Sequence, residues 1–284
     1  MDINYPLSPK ARKCGHGWVD ICPAHDDQNP SLSVGLGADG TLLLHCFAGC
    51  SFNAVVQAAG LSGTPNIRQV SQSDLEYIKR ERELEAARKR AYVQKLWREG
   101  GSIQGTLSQQ YLASRGIHHW SDTQRHHSGL IYAQTGERLP VLITAVQRAG
   151  QLVGLHRTYL NLDGSKRDKL MIGPCGGGAA RLLGTQGPLI VAEGIETALS
   201  LPSLNTDTVA RYWAALSAGG VKALELPKSP SKLIIAADGD AAGEAAANEL
   251  GQRAALAGWD VVMMAAPAGQ DWNDVLMEQH NGRV

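Results

Sequence analysis

The sequence carries no net charge: 27 Lys and Arg are balanced by 27 Asp and Glu over 284 residues. It lacks any apolar run long enough to span a bilayer, and its first residues lack the charged-then-apolar pattern of a secretory leader. The expectation is a soluble, cytoplasmic protein. No Gly-x-x-x-x-Gly-Lys-Ser/Thr occurs anywhere, which excludes a P-loop motor. Cysteine is scarce, with five residues, and in that compartment it argues for metal ligation or free thiols and against disulfides.

The zero balance hides an asymmetry. Residues 66–185 hold 18 Lys and Arg against 10 Asp and Glu, whereas residues 186–284 hold 6 against 12. A basic middle beside an acidic end fits a polyanion track leading to a metal site.

Two stretches organise the acidic end: Pro188-Leu-Ile-Val-Ala-Glu193-Gly194-Ile-Glu196 and Leu233-Ile-Ile-Ala-Ala-Asp238-Gly239-Asp240-Ala-Ala-Gly243. Each is a short apolar run that closes on a carboxylate and a glycine, as a strand buried on both faces does. Helical patterns follow, over 195–201 and 241–257. In open α/β sheets ligands bind beyond the carboxyl ends of the strands, so Glu193, Asp238 and Asp240 are expected to converge on one crevice. One acidic helix cap needs no further explanation. Two glycine-backed acidic turns in one domain favour a hard cation, Mg²⁺ or Mn²⁺, of the kind that serves phosphoryl chemistry.

This pattern resembles the Toprim domain shared by bacterial-type primases, topoisomerases and some nucleases. Its Glu-Gly stands here as Glu193-Gly194, and its Asp-x-Asp-x-x-Gly as Asp238-Gly239-Asp240-Ala-Ala-Gly243. A third acidic element, Asp271-Trp-Asn-Asp274, follows the strand-like 260–266, where the primase pattern has Asp-x-Asp. The resemblance implies that Glu193, Asp238 and Asp240 are catalytic, and that Asp271 joins them as a magnesium or manganese ligand.

The N-terminal segment reads as a zinc module. Cys22-Pro-Ala-His25 is followed by Cys46-Phe-Ala-Gly-Cys50, two ligand pairs separated by a hairpin-length insert with strand-like 31–34 and 41–45. Cys22, His25, Cys46 and Cys50 are the expected ligands of a closed, structural zinc ion that supplies much of the folding energy of so small a segment. Cys14 and His16 rank as spares. His45 is expected on the opposite strand face from its ligand neighbour. The stretch from 14 to 60 resembles the zinc ribbon of bacterial and phage primases, which implies contact with single-stranded template. Trp18, Phe47 and Phe52 are available to stack on bases; for Phe47 and Phe52 a core role is expected instead.

Between these ends, 61–72 reads as a hinge. Ser73-Asp-Leu-Glu76 is an expected capping box for a solvated connecting helix over 74–99, about 39 Å long at 1.5 Å per residue. Residues 102–185 read as a small basic α/β unit, with a helix over 107–114 and strands over 139–146 and 152–160. Lys166, Arg167, Lys169 and Arg181 flank the glycine run Gly173-Pro-Cys-Gly176-Gly177-Gly178. With Arg157, they are the expected nucleotide- or DNA-binding residues, holding phosphates by charge and backbone N–H groups.

The expected fold class is therefore α/β, α+β overall. It comprises a zinc ribbon (1–62) that binds template, a linker and connecting helix (63–101), a basic α/β subdomain (102–186), and a Toprim α/β catalytic domain (187–284) with a largely parallel sheet. The resemblance implies a DNA primase. Such an enzyme makes short RNA primers on single-stranded DNA from nucleoside triphosphates by metal-dependent nucleotidyl transfer, for a phage, plasmid or other mobile element. Lacking a motor and a helicase-docking domain, it is expected to work beside a separate helicase or replication-initiation ATPase. Two alternatives stay open: a Toprim-type nuclease using water as nucleophile, and a non-catalytic zinc protein that binds single strands.

Overall fold

The computed structural model describes residues 5–14, 17–37, 39–64, 66–204 and 209–282. It divides into two compact units, Met1–Ala87 and Arg88–Val284.

In the first unit β1 (Arg12–Cys14), β2 (Gly17–Asp20), β3 (Leu32–Leu36) and β4 (Leu42–Cys46) form an antiparallel meander, and β5 (Ile67–Gln69) adds in parallel to β4. Leu32, Val34, Leu42 and Leu44 alternate inward, as period-two strands require, and meet Val55 of α1 (Phe52–Ala58) together with Cys22 and Cys46. His45 points outward between buried Leu44 and Cys46. The core is small, so the unit needs support beyond apolar burial.

Helix α2 (Gln72–Glu99) starts earlier than its sequence suggests. Its capping box is Ser71 with Asp74, not Ser73 with Glu76. The Asp74 N–H donates to Ser71 Oγ at 3.2 Å, and the Ser71 N–H donates to Asp74 Oδ2 at 2.8 Å. Burial decides the choice: Asp74 is 6% exposed and is clasped by the Arg68 guanidinium, which a solvated Glu76 is not. The helix is not solvated throughout either. Leu75, Tyr77 and Leu84 are exposed, but Val93 and Leu96 near its end are buried against a sheet of the second unit.

That unit holds two sheets. One is antiparallel, in the order β6 (Gln124–Ile131), β7 (Arg138–Arg148), β8 (Gln151–Leu160), β9 (Lys166–Ile172). Its one face carries Val141, Ile143, Leu155 and Tyr159 against the end of α2. Its other face, with Leu142, Val146 and Leu160, shares a core with α3 (Leu107–Ser114) and with the second sheet. The second sheet runs β10 (Ala180–Leu183), β12 (Arg211–Ala214), β11 (Leu189–Ala192), β13 (Lys232–Ala237), β14 (Asp260–Ala265). All neighbours are parallel except β10, which runs antiparallel to β12. Helices α4 (Ile195–Leu204) and α7 (Trp272–Asn281) contribute Ile195, Leu199 and Leu276 to one face, while α5 (Ala218–Ala223) contributes Val221 and α6 (Ala241–Leu256) contributes Ala246, Leu250 and Ala254 to the other. β11 and β13 are buried on both faces by this arrangement, hence their unbroken apolar runs. The core thus runs continuously from residues of 102–186 into residues of 187–284.

Candidate metal centres and a basic crevice

In the first unit the sulfurs of Cys22, Cys46 and Cys50 and a ring nitrogen of His25 lie within 4.8 Å of one another. His25 Nδ1 is 3.1 Å from Cys50 Sγ. The three thiols occupy different electrostatic environments. Burial pushes Cys22 up to about 12. Burial also works to raise Cys46, but the N–H groups of Cys50 and Ala48 outweigh it and bring that thiol down to about 7. Three sulfurs and an imidazole fit a tetrahedral, closed zinc ion, whose charge would let all three thiols ionise. Asp27, which the sequence reading passed over, organises this centre. Its carboxylate accepts from the Cys22 N–H at 2.8 Å and the Ser31 hydroxyl at 2.6 Å, and stands 3.7 Å from His25 Nε2. A carboxylate beside a ligating imidazole fixes the ring, and an Asp two residues past the ligand His was the available signal. Cys14 is exposed on β1, outside the ligand set; His16 lies outside the described residues. Phe52 and Trp18 pack against the core, but Phe47 is 70% exposed, contrary to the expected core role. It follows ligand Cys46 on the turn outside the strands, and its only ring contact among the described residues is the exposed His45, at 5.0 Å.

In the second unit the carboxylates sit where the parallel strands end. Ala192 of β11 pairs with Ala236 of β13, so Glu193 and Asp238 leave adjacent strands within two residues of each other. They line one small cavity. Asp238 is the electrostatic centre. Burial first, then the charges of Glu193, Asp271 and Asp240, push its carboxyl from 3.8 to about 7, with Lys169 pulling the other way. Its Oδ1 is buried without a hydrogen-bond partner. An orphaned carboxylate oxygen among like charges is the kind of group a cation satisfies. Asp240 caps α6, accepting from the Gly243 N–H at 2.7 Å, and Asp271 caps α7 in a reciprocal box with Asp274. Both are therefore held rigidly at the crevice by cap geometry, with Asp274 engaged as the cap partner. The four carboxylates do not close into a tight cage: among the described residues, only the zinc-type set brings its ligand atoms within 4.8 Å. An open site suits Mg²⁺, which keeps waters and takes substrate phosphates.

The two acidic loops are locked together by Gly239. Its N–H donates to Gln270 O at 2.8 Å, its carbonyl accepts from the Gly269 N–H at 2.8 Å, and a Cβ there would lie 2.0 Å from Pro267 O. Gly239→Ala is expected to force Asp271 away from Asp238 and to cost about 1–3 kcal/mol of stability, as overpacking does. Urea unfolding and Mg²⁺ titration of the purified variant check this; unchanged values would mean that the loops part without consequence.

The antiparallel sheet faces the acids with one of its two surfaces, and register decides which basic residues share it. Thr158 pairs with Lys169 and Leu160 with Lys166, so both lysines lie on the face of buried His156, Thr158 and Leu160. Lys169 acts on Asp238, and Lys166 on Glu196 and His156. Arg157 lies on the opposite face, its guanidinium 5.6 Å from the Tyr159 ring centre and donating to the Tyr159 hydroxyl at 3.0 Å. Arg167 sits near Tyr132 on that same far side. The glycine run forms no open cradle: Gly177, at φ +73°, lies against the Glu225 carboxylate and accepts from the Glu225 N–H at 2.9 Å.

Three further residues escaped the sequence reading. Glu196, one turn beyond Glu193, accepts a hydrogen bond from the buried Tyr111 hydroxyl of α3. Burial works to raise its carboxyl, but the Tyr111 bond, its own backbone N–H and Lys166 hold it below the usual range. His156 is 5% exposed and pushed down to about 4 by burial, so it is neutral at ordinary pH, with Nδ1 unpartnered. The second Glu in Glu-Gly-Ile-Glu was a visible signal; nothing in the sequence marked Tyr111 or His156.

With this geometry in place, comparison with known proteins is informative. Residues 188–282 match the family model of the Toprim domain, and residues 87–182 that of a domain of unknown function, DUF7146. The C-terminal part of the chain is a Toprim domain, with the mostly parallel sheet described above. No curated protein matches. Among solved structures, the chain is similar to the zinc-binding and RNA polymerase domains of the Aquifex aeolicus primase (17% identity, 96% of this chain, 79% of that chain, TM-score 0.40). It is also similar to the primase fragment of the bacteriophage T7 primase-helicase protein (13% identity, 93% of this chain, 96% of that chain, TM-score 0.40). A third is the RNA polymerase domain of Mycobacterium tuberculosis primase DnaG (17% identity, 72% of this chain, 81% of that chain, TM-score 0.37). No helix among the described residues is long and apolar enough to cross a membrane.

Proposed function

We propose that the chain is a DNA primase that joins ribonucleotides on single-stranded DNA. The observation that carries this reading is the crevice: Asp238, with its orphaned oxygen, ringed by Glu193, Asp240 and Asp271 and faced by Lys169 and Lys166. Carboxylates that need a cation, opposite ammonium groups that need an anion, suit a metal-bound triphosphate. When bound, Mg²⁺ or Mn²⁺ would neutralise the triphosphate and stabilise the charge that develops on its oxygens. Glu193 and Asp238 are its proposed ligands, with Asp240 and Asp271 completing the negative field. Lys169 and Lys166 would orient phosphate oxygens from the other wall, as point charges do. His156 stays neutral and adds no charge of its own beside the lysines. The zinc unit would engage template, with Phe47 offering an exposed ring for base stacking. A phage or plasmid origin and a separate helicase or initiation ATPase remain part of the proposal.

The direct test is incorporation of labelled ribonucleotides on varied single-stranded templates with Mg²⁺ or Mn²⁺. Template-dependent products of defined length support the reading. Cleavage of the DNA without incorporation would favour a nuclease built on the same carboxylates; binding with neither would leave a single-strand-binding protein.

Metal binding should be linked to protons. Asp238 must lose its proton to take a cation, and it holds that proton up to about pH 7. Mg²⁺ affinity is therefore expected to rise from acid to alkaline pH, with up to about one proton released per ion near pH 6. Calorimetric titration in two buffers of different ionisation enthalpy measures that number; none released would remove Asp238 from the site.

A further inference from the structure

At the β10 edge of the Toprim sheet lies a groove of about 720 Å³, whose lining includes none of the crevice carboxylates. Trp120, Arg181, Arg211, Trp213 and Asp122 line it. The Arg181 guanidinium lies 4.4 Å from the centre of the Trp213 ring. Its Nε is buried with no hydrogen-bond partner. Its other nitrogens make no hydrogen bond or ion pair to any described residue, and burial lowers its pKa. A partly buried guanidinium with an unused fork favours a partner outside the chain, and the planar fork matches phosphate oxygens. Arg211 is positioned beside it by bonds to Gly187 O at 3.1 Å and Ser231 Oγ at 3.0 Å. Among the described residues of the lining Asp122 is the only acid, exposed, against the two cations Arg181 and Arg211.

We propose that this groove holds the sugar–phosphate backbone of a single nucleic-acid strand, with Arg181 on a phosphate and the partly buried Trp120 indole offering a face to a base. Cations beside aromatic platforms are how single strands are held without sequence preference. The register fixes how far the groove lies from the acids. Arg181 pairs with Trp213, Trp213 with Val191 and Val191 with Ile235, so one row of residues crosses β10, β12, β11 and β13. Three strand spacings put the groove on the order of 14 Å across the sheet from Asp238's strand. Which strand occupies it, template or product, depends on the primase reading; the groove's binding of single strands does not.

The test uses the full chain and a fluorescein-labelled DNA single strand on the order of 16 nucleotides long, the upper range of such sites. Anisotropy is followed over a series of salt concentrations. Arg181→Gln is expected to weaken binding several-fold and to reduce the slope of log affinity against log salt by about 0.7, the value for one lost phosphate contact on a single strand. Asp122→Arg, at an exposed position, is expected to tighten binding and steepen the slope by about as much. The KM for nucleoside triphosphate should not move in Asp122→Arg. Wild-type affinity and slope in Asp122→Arg would overturn the proposal, even if Arg181→Gln proved unstable. So would a raised triphosphate KM in Arg181→Gln with strand binding intact, which would make the groove a nucleotide site. Expected anisotropy results from a chain that incorporates no nucleotide would leave the groove standing and remove the primase reading.

Discussion

Asp238→Asn and Glu193→Gln should each lower nucleotide incorporation by more than about a hundredfold, beyond the 10–100-fold typical of groups that only support a ligand. They should do so without unfolding the chain. The amide keeps the shape of the carboxyl and removes the charge that a cation needs. For Asp238 the structure adds a second, opposite expectation, that the inactive variant is the more stable one without metal. The folded state raises the Asp238 pKa from 3.8 to about 7. Folding therefore binds its proton more tightly than the unfolded chain does, and the resulting stability is fully present below about pH 4 and lost as pH rises toward 7. Asn carries no such penalty. At pH 8 without divalent ions, Asp238→Asn should melt above wild type; at pH 4 the difference should vanish. Added Mg²⁺ should raise the wild-type melting temperature and leave the variant's unchanged. An active Asp238→Asn, or one that melts lower than wild type at pH 8, would show that the carboxyl serves the fold and not the metal.

The second large effect concerns the first unit. One zinc per chain is expected, and Cys50→Ser should lose it, whereas Cys14→Ser should retain it. Cys50 belongs to the four-residue set and Cys14 stands exposed outside it. Structural zinc contributes about 10–16 kcal/mol of apparent binding energy in small modules, more than so few buried side chains supply. Loss of zinc should therefore open residues 1–87 to protease while the Arg88–Val284 unit stays resistant. Metal analysis with limited proteolysis reads both outcomes. Equal zinc loss from the two variants would mean that the ligands are wrongly chosen.

These two sites were legible early because their signals are local. Ligand pairs on tight turns and carboxylates closing apolar runs are fixed by a few neighbouring residues. The strands β11, β13 and β14 were legible for the same reason, each an unbroken apolar run. β6 and β9 were not, because polar residues such as His126, His127, Lys166 and Lys169 interrupt them, and β10 and β12 were not, because each is only four residues long; only pairing with a neighbour makes them strands. The capping box at Ser71–Asp74 was misplaced by two residues because the deciding partner, Arg68, lies before the helix.

By itself the sequence determined the kinds of chemistry present: thiolates and an imidazole at zinc spacing, and hard carboxylates at strand ends. It also set the order of the segments that carry them. Which groups meet was decided by the tertiary structure. Strand register put Lys166 and Lys169 on the acid-facing surface and turned Arg157 away, since a side chain's face alternates with each residue. Close approach of two loops at Gly239 placed Asp271 beside Asp238. Tyr111 reached Glu196 across 85 residues of chain, and Arg181 found Trp213 on a neighbouring strand. Such contacts join residues distant in sequence, and no local pattern encodes them; they exist only when the strands are paired and the elements packed.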